Sequence, residues 1–432
     1  MNASTLDLGT DRRLGRSDLR TLALAALGGA LEFYDFVVFV FFAVPLGQLF
    51  FPHGSAAWLV QLKIYGIFAA GYLARPLGGI VMAHYGDKLG RKRMFTLSVF
   101  LMALPTLGIG LLPVYAQVGM LAPLLLLLLR VVQGIAVGGE VPGAWVFVAE
   151  HVPPRRVGFA CASLTSGLTV GILLGSLVAA GLNRSLSPAA LLDYGWRLPF
   201  LLGGVFGFLA VWLRRWLSET PVFEAMHARR ELVTGLPLAQ VVSRHRPAVL
   251  LSMLVTWMLT AAIVVLILMT PSLVQSVFHV APARAFLGNN VASFALAVGC
   301  LFFGGLSDRI GPARALLAGA AGLLLAGYAL YLDLTAGGAH FVALYALAGF
   351  TVGVVGVVPV LMVLAFPPAV RFSGLSASYN VAYALFGGLT PPLIAWSVRH
   401  FGVLAPAHYV AATAVLGMLV ALVLMRRQRA IR

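Results

Sequence analysis

The chain has 432 residues, of which 60% are apolar and 10% charged, with a mean hydropathy of +0.96. Soluble domains average about 45–50% apolar and about 25% charged residues, so a soluble enzyme, a disordered chain and a disulfide-built secreted scaffold are excluded and a polytopic membrane protein is left. The net charge of +16 would suggest a nucleic-acid or acidic partner for a soluble protein, but in a membrane protein basic residues first of all set topology.

A spanning helix needs about 20 apolar residues. The apolar runs predict twelve spans, at residues 21–50, 59–85, 94–115, 120–150, 158–182, 196–217, 248–275, 286–306, 315–334, 340–366, 374–398 and 405–425. The first run is too long for a cleavable signal and follows a polar, basic leader, so it is expected to remain as the first span. Of the 30 Lys and Arg, 23 fall in the leader, the even-numbered loops and the tail. Only four, Arg184, Arg197, Arg284 and Arg399, fall in the odd-numbered loops. Lys and Arg accumulate on the cytoplasmic side, so both termini are expected in the cytoplasm and the protein in the cell's inner (plasma) membrane. Cys161 and Cys300 lie in different predicted spans and read as small buried residues.

Two segments recur. The second loop reads GDKLGRKR (residues 86–93) and the eighth LSDRIGPAR (306–314), which places Asp87 and Asp308 221 residues apart. The fourth and tenth loops read VPPRRVG and FPPAVRFSG, with Pro153 and Pro367 214 residues apart. Both spacings lie close to half the chain. They predict an all-α integral membrane protein of two pseudo-symmetric six-helix bundles, residues 21–217 and 248–425, with a cytoplasmic leader 1–20, a linker 218–247 and a tail 426–432. Two parallel six-helix halves around a midplane site are a transporter plan.

The duplicated GDKLGRK and SDRIGPA loops resemble the signature of the major facilitator superfamily. GGALEFYDFVVF, ARPLGG, RVVQGIAVGGE, DYGWRLPF, LSETPVF and VRFSGLSASYNVAYALFGGLTPP together resemble its metabolite:proton symporter family, whose members carry oxoglutarate, citrate, shikimate and proline or betaine. The resemblance implies twelve helices in the major facilitator fold and alternating access. It also implies a cytoplasmic latch of Asp87, Arg91 and Glu150, with Asp308 and Arg309 as the second copy. Three departures stand out: Phe33 where the family has Trp, Pro312 where it has Arg, and a chain that stops seven residues after Met425.

A charge at the bilayer centre costs roughly 2.5–3.5 kcal/mol on insertion scales, and such residues are mostly functional. Glu32, Asp35 and Glu140 are the acids well inside spans, all in the first half, and with them lie Lys63, Arg75 and Arg130. At about 1.5 Å per residue, Glu32 is about 16 Å deep and Arg75 about 15 Å, while Asp35 is about 21 Å from one face and Arg130 about 14 Å from the other. The expectation is therefore two level pairs, Glu32 with Arg75 and Asp35 with Arg130, rearranged or neutralised during transport; purely structural interhelical ion pairs are the alternative. Asp35, Glu32 and Glu140 are candidates for proton coupling. Arg130, Arg75, Gln133, Tyr379 and Asn380 are candidates for binding substrate, because a guanidinium binds a carboxylate through two parallel hydrogen bonds. Trp145, Trp257 and Tyr383 read as packing. Gly134, Gly138 and Gly139 allow close helix approach.

No HExxH, GxSxG or metal-spaced Cys/His cluster is present, so neither an enzyme nor a metal site is expected, no cofactor is implied, and no Gly-rich loop with a following Lys points to ATP. The reading is a secondary-active, proton-coupled uptake symporter of a small organic acid such as a di- or tricarboxylate. Uptake of a zwitterionic osmolyte or amino acid, or proton-driven export by the same fold, are the alternatives. The expected partners are a small metabolite, protons and the lipid bilayer, with no nucleic acid, and the expected state is a monomer.

Overall fold

The computed structural model describes residues 14–52, 57–89, 91–214 and 237–430 together with Gly54, Trp216 and Glu224, and every described regular element is helical. Twelve long helices follow in chain order: α1 (Arg16–Phe41), α2 (Ala57–Leu89), α3 (Arg91–Leu111), α4 (Leu121–His151), α5 (Val157–Ser185), α6 (Leu198–Arg214), α7 (Arg246–Ser276), α8 (Pro282–Ile310), α9 (Pro312–Thr335), α10 (Phe341–Ala365), α11 (Pro368–Phe401) and α12 (Ala405–Ala430). Eleven are long and apolar enough to cross a membrane, and α3 holds a shorter apolar stretch, Thr96–Leu111. Most of the expected linker, 218–247, lies outside the described residues; its end forms a short helix, Pro237–Arg244.

The first span was expected as one helix over 21–50. It is two, because Phe42 leaves helical geometry and a second helix, Ala43–Phe50, follows. Pro45 explains the division: it has no N–H to continue the hydrogen-bond ladder of α1. Irregular turns also interrupt the second half. α7 passes through a π-helical stretch, Ala262–Met269, ahead of Pro271, and α11 through Tyr383–Gly387, ahead of Pro391 and Pro392. Residues 353–357 of α10 form a 3₁₀ turn.

The helices pack as two bundles of six. In the first, α2 lies along α4, α1 against α5 and α6, and α3 against α4 and α6; in the second, α8 packs on α10, α9 on α12, and α7 on α11 and α12. The bundles meet along α5 with α8 and along α2 with α11. The α2–α4 crossing is the closest fit to the glycines read from the sequence. A Cβ at Gly134 would run into the Gly71 carbonyl, one at Gly138 into the Arg75 carbonyl, and one at Gly78 into the Ile135 carbonyl. Backbone thus touches backbone, which only small residues permit, and this brings Arg75 and Arg130 into adjoining positions. Both cysteines are free and buried.

Candidate functional site

Asp35 sits on α1 with 1% of its surface exposed, and neither carboxylate oxygen has a hydrogen-bond partner. Its niche is made by α6. The Cβ that Gly203 lacks would stand 2.5 Å from Asp35 Oδ1 and 2.8 Å from Thr106 Cγ2, and the one that Gly207 lacks 3.4 Å from Asp35 Oδ2. Thr106 Oγ1 donates elsewhere, to the Met102 carbonyl at 3.0 Å. A buried carboxylate without a partner is costly as an anion, and taking up a proton removes that cost.

Arg130, on α4, is fully buried. Its Nη1 donates to Gln133 Oε1 at 2.8 Å and to the Phe36 carbonyl at 3.4 Å, while Gln133 Nε2 donates to Thr106 Oγ1 at 2.7 Å. The guanidinium lies over Phe39 (4.4 Å to the ring centroid), Phe36 (4.6 Å) and Phe68 (5.4 Å). Its Nε and Nη2 have no hydrogen-bond partner. Gln133, expected to bind the same ligand as Arg130, accepts from Arg130 and through its amide N–H links it to Thr106 beside the Asp35 niche.

Arg75, on α2, is also fully buried. Its Nε donates to Asn380 Oδ1 at 3.3 Å, and its Nη2 has no hydrogen-bond partner. The guanidinium is surrounded by rings: Tyr383 at 4.2 Å, Tyr379 at 5.3 Å, Tyr72 at 5.6 Å and Phe36 at 6.0 Å. The two expected pairs therefore do not form. Arg75 hydrogen-bonds Asn380 rather than Glu32, and Arg130 hydrogen-bonds Gln133 and a backbone carbonyl rather than Asp35. Equal depth does not make two side chains face each other: residues 35 and 36 point about 100° apart on a helix, so Phe36 meets both cations while Asp35 turns toward α6. Glu32 and Glu140 are buried on α1 and α4.

Asn380 links the cation to the seam between the bundles. Its Nδ2 donates to the Gly138 carbonyl at 2.5 Å and to the Ser376 carbonyl at 2.8 Å, and Ser376 Oγ donates to the Gly79 carbonyl at 3.0 Å. A Cβ at Gly79 would strike Asn380 and Ser376. Two more contacts cross at the end where α4 stops and α5 begins. Asp308 accepts from the backbone N–H groups of Gly158 (2.8 Å) and Phe159 (3.0 Å), at the electropositive N-terminus of α5, and Glu150 pairs with Arg371 at 3.1 Å. Arg309 is exposed. The side chains of Asp87 and Arg91 lie outside the described residues. At the opposite end a cavity of about 310 Å³ is lined by both bundles, including Phe41, Gln48, Tyr65 and Asn183 from one and Leu268, Ser272, Gln275 and Phe286 from the other.

The model of the Major Facilitator Superfamily matches residues 25–365. The chain belongs to the major facilitator superfamily. It is a multi-pass membrane transporter of that superfamily. It is 32% identical over 418 residues to the "Glycine betaine/proline/ectoine/pipecolic acid transporter OusA" of Dickeya dadantii (strain 3937), covering 93% of this chain and 82% of that one. It is 32% identical over 416 residues to the "Proline/betaine transporter" of Escherichia coli (strain K12), with the same coverage of 93% and 82%. Its fold matches that of the proton:xylose symporter XylE with a TM-score of 0.78 at 19% identity, over 95% of both chains.

Within this major facilitator fold, some residues of the site carried no signal of their own in the sequence. Tyr72 and Phe36 look like any other aromatic in an apolar run, and Tyr383 reads as packing until its ring is found over Arg75. Arg371 is the single basic residue of the tenth loop, and its repeat partner segment, VPPRRVG, begins two residues after Glu150. That spacing was the available clue to the Glu150–Arg371 pair.

Proposed function

We propose that this transporter takes up a small zwitterionic osmolyte of the proline or betaine class together with protons, by alternating access. In this reading it works as a monomer in the cytoplasmic membrane, with both termini inside. The relatives named as proline/betaine transporters favour this over the di- or tricarboxylate first expected from two central Arg. The observation that carries it is the presence, in one bundle, of a partnerless buried carboxylate, Asp35, and a buried guanidinium, Arg130, whose Nε and Nη2 are unused. Buried donors without acceptors are rare and call for a partner. A substrate carboxylate supplies one to Arg130, and Asp35 carries the proton. The Gln133–Thr106 bridge lets charge at one be felt at the other. Asp308, Glu150 and Arg371 act as the latch that holds the cytoplasmic end shut while the opposite cavity admits substrate, with Asp87 and Arg91 as the partner copy. Glu32 and Glu140 serve the proton path, and Tyr379 and Asn380 the substrate.

A second reading rests on a specific observation: Arg75 and Arg130 both hydrogen-bond neutral groups, and two such cations suit an acid with two carboxylates. The test is uptake of labelled glycine betaine, proline and 2-oxoglutarate by proteoliposomes with an acid-outside pH gradient. Accumulation of betaine and proline that collapses with the gradient is expected. Accumulation of 2-oxoglutarate alone would replace this reading by the second. Comparison of right-side-out with inverted vesicles decides between uptake and export.

A further inference from the structure

Arg75 is a buried cation surrounded by rings and hydrogen-bonded to the Asn380 amide. Four rings from both bundles surround it, Phe36 and Tyr72 from the first and Tyr379 and Tyr383 from the second, with Tyr383 nearest at 4.2 Å. The rings also brace one another. Tyr72 and Tyr383 stack at 5.2 Å and 1°, Tyr379 lies 5.1 Å from Tyr383, and Trp145 meets Tyr379 edge-on at 5.1 Å. Tyr383 opens the π-helical turn of α11, a feature frequent at functional sites, and Gly387 leaves the space beneath its ring.

We propose that this ring cluster is the receptor for the ammonium group of the zwitterionic substrate, and that Arg75 occupies it as a tethered stand-in when substrate is absent. A cluster of ring faces around a cation is the arrangement that recognises quaternary ammonium ligands. A guanidinium cannot leave a buried site unaccompanied, because an unpaired buried charge is costly. A zwitterion solves this in one exchange: its ammonium takes the ring faces while its carboxylate, one oxygen of which accepts from Arg130, accepts through the other from the displaced Arg75, whose Nη2 is without a partner beforehand. A plain cation cannot make the exchange, because it offers the guanidinium nothing, and a plain anion cannot, because it leaves the rings empty. The exchange also breaks the Arg75–Asn380 hydrogen bond, the link to the seam formed by Asn380 and Ser376. Substrate binding thereby reaches the contact that must open for the bundles to rock. This inference rests on the zwitterion reading above for its natural substrate, but its chemistry is testable without transport.

The test measures binding to purified protein of choline, which has the quaternary ammonium and no carboxylate, and of glycine betaine. Wild type should bind choline weakly. Arg75→Gln, which empties the ring cluster, should bind choline at least ten-fold more tightly than wild type and betaine more weakly. Tyr383→Leu should weaken betaine binding roughly thirty-fold, whereas Tyr383→Phe, which keeps the ring, should stay within about three-fold. A folded Arg75→Gln protein with no gain in choline binding would overturn the proposal, and so would Tyr383→Leu binding betaine like wild type. Should Arg75→Gln fail to fold, the contrast between the two Tyr383 variants decides. If wild type binds neither betaine nor proline, it is the zwitterion reading that fails, while a choline gain in Arg75→Gln would still establish the cation receptor.

Discussion

The two bundles share a fold and differ in what they bury. Among the described residues the interior of the first holds Glu32, Asp35, Arg75, Arg130 and Glu140, whereas the interior of the second holds neutral groups such as Thr256, Asn289, Ser376, Asn380 and Thr390. The irregular turns are distributed the other way: both π-helical stretches, in α7 and α11, are in the second bundle. A charge inside a membrane must be rigidly provided for, and the first bundle does this with the tight α2–α4 crossing. The second has no such charge to hold, so it can spend helical regularity on rings and amides that approach the first bundle's cations. Symmetry of fold therefore coexists with a difference in content: buried charges on one side, neutral polar groups, rings and irregular backbone on the other.

Six substitutions, in four experiments, test this contrast, from the largest expected effect downward. Gly134→Val puts a side chain into the Gly71 carbonyl and should abolish the monodisperse peak in detergent size-exclusion. Gly305→Val in the second bundle, where a Cβ meets nothing within 4 Å, should elute like wild type. Arg130→Gln should weaken substrate binding by roughly ten- to a hundred-fold, the loss of one charge-assisted hydrogen-bonded contact of about 1.5–3 kcal/mol, as read by titration calorimetry. Glu150→Gln and Arg371→Gln, singly and together, should show a coupling of roughly 0.5–3 kcal/mol in a double-mutant cycle on stability; additive effects would mean that the pair does not latch the bundles. Asn289 donates to Ser176 and accepts from Tyr345, so Asn289→Ala should lower stability by roughly 1–3 kcal/mol yet leave the accumulation ratio driven by a fixed pH gradient unchanged. A changed ratio would place coupling chemistry in the second bundle.

The sequence disclosed the scaffold more fully than the site. Hydropathy marked all twelve helices, because in a bilayer every backbone group must be satisfied within a helix, and the spacing of Asp87 and Asp308 disclosed the duplication. Gly134 and Gly138 announced the close crossing. Depth along each helix can be counted from the sequence, since it depends only on rise per residue. What depth cannot supply is azimuth across different helices. Asp35 and Arg130 were therefore matched when Phe36, one residue on, is the group that meets Arg130. The aromatic surroundings of Arg75 were hidden for the same reason: Tyr72 and Tyr383 are over 300 residues apart in the chain and meet only through the packing of α2 on α11. The division of the first span at Phe42 was missed because an apolar run carries no mark of a bend except Pro45.

The central claim is that the proton travels on Asp35 of the first bundle. It is tested most directly by recording substrate-induced acidification inside proteoliposomes, with a trapped pH-sensitive dye, for wild type and Asp35→Asn. The account predicts that betaine or proline drives protons in with the wild-type protein, and that Asp35→Asn exchanges labelled for unlabelled substrate across the membrane with no proton signal. A proton signal of wild-type size from Asp35→Asn would contradict it.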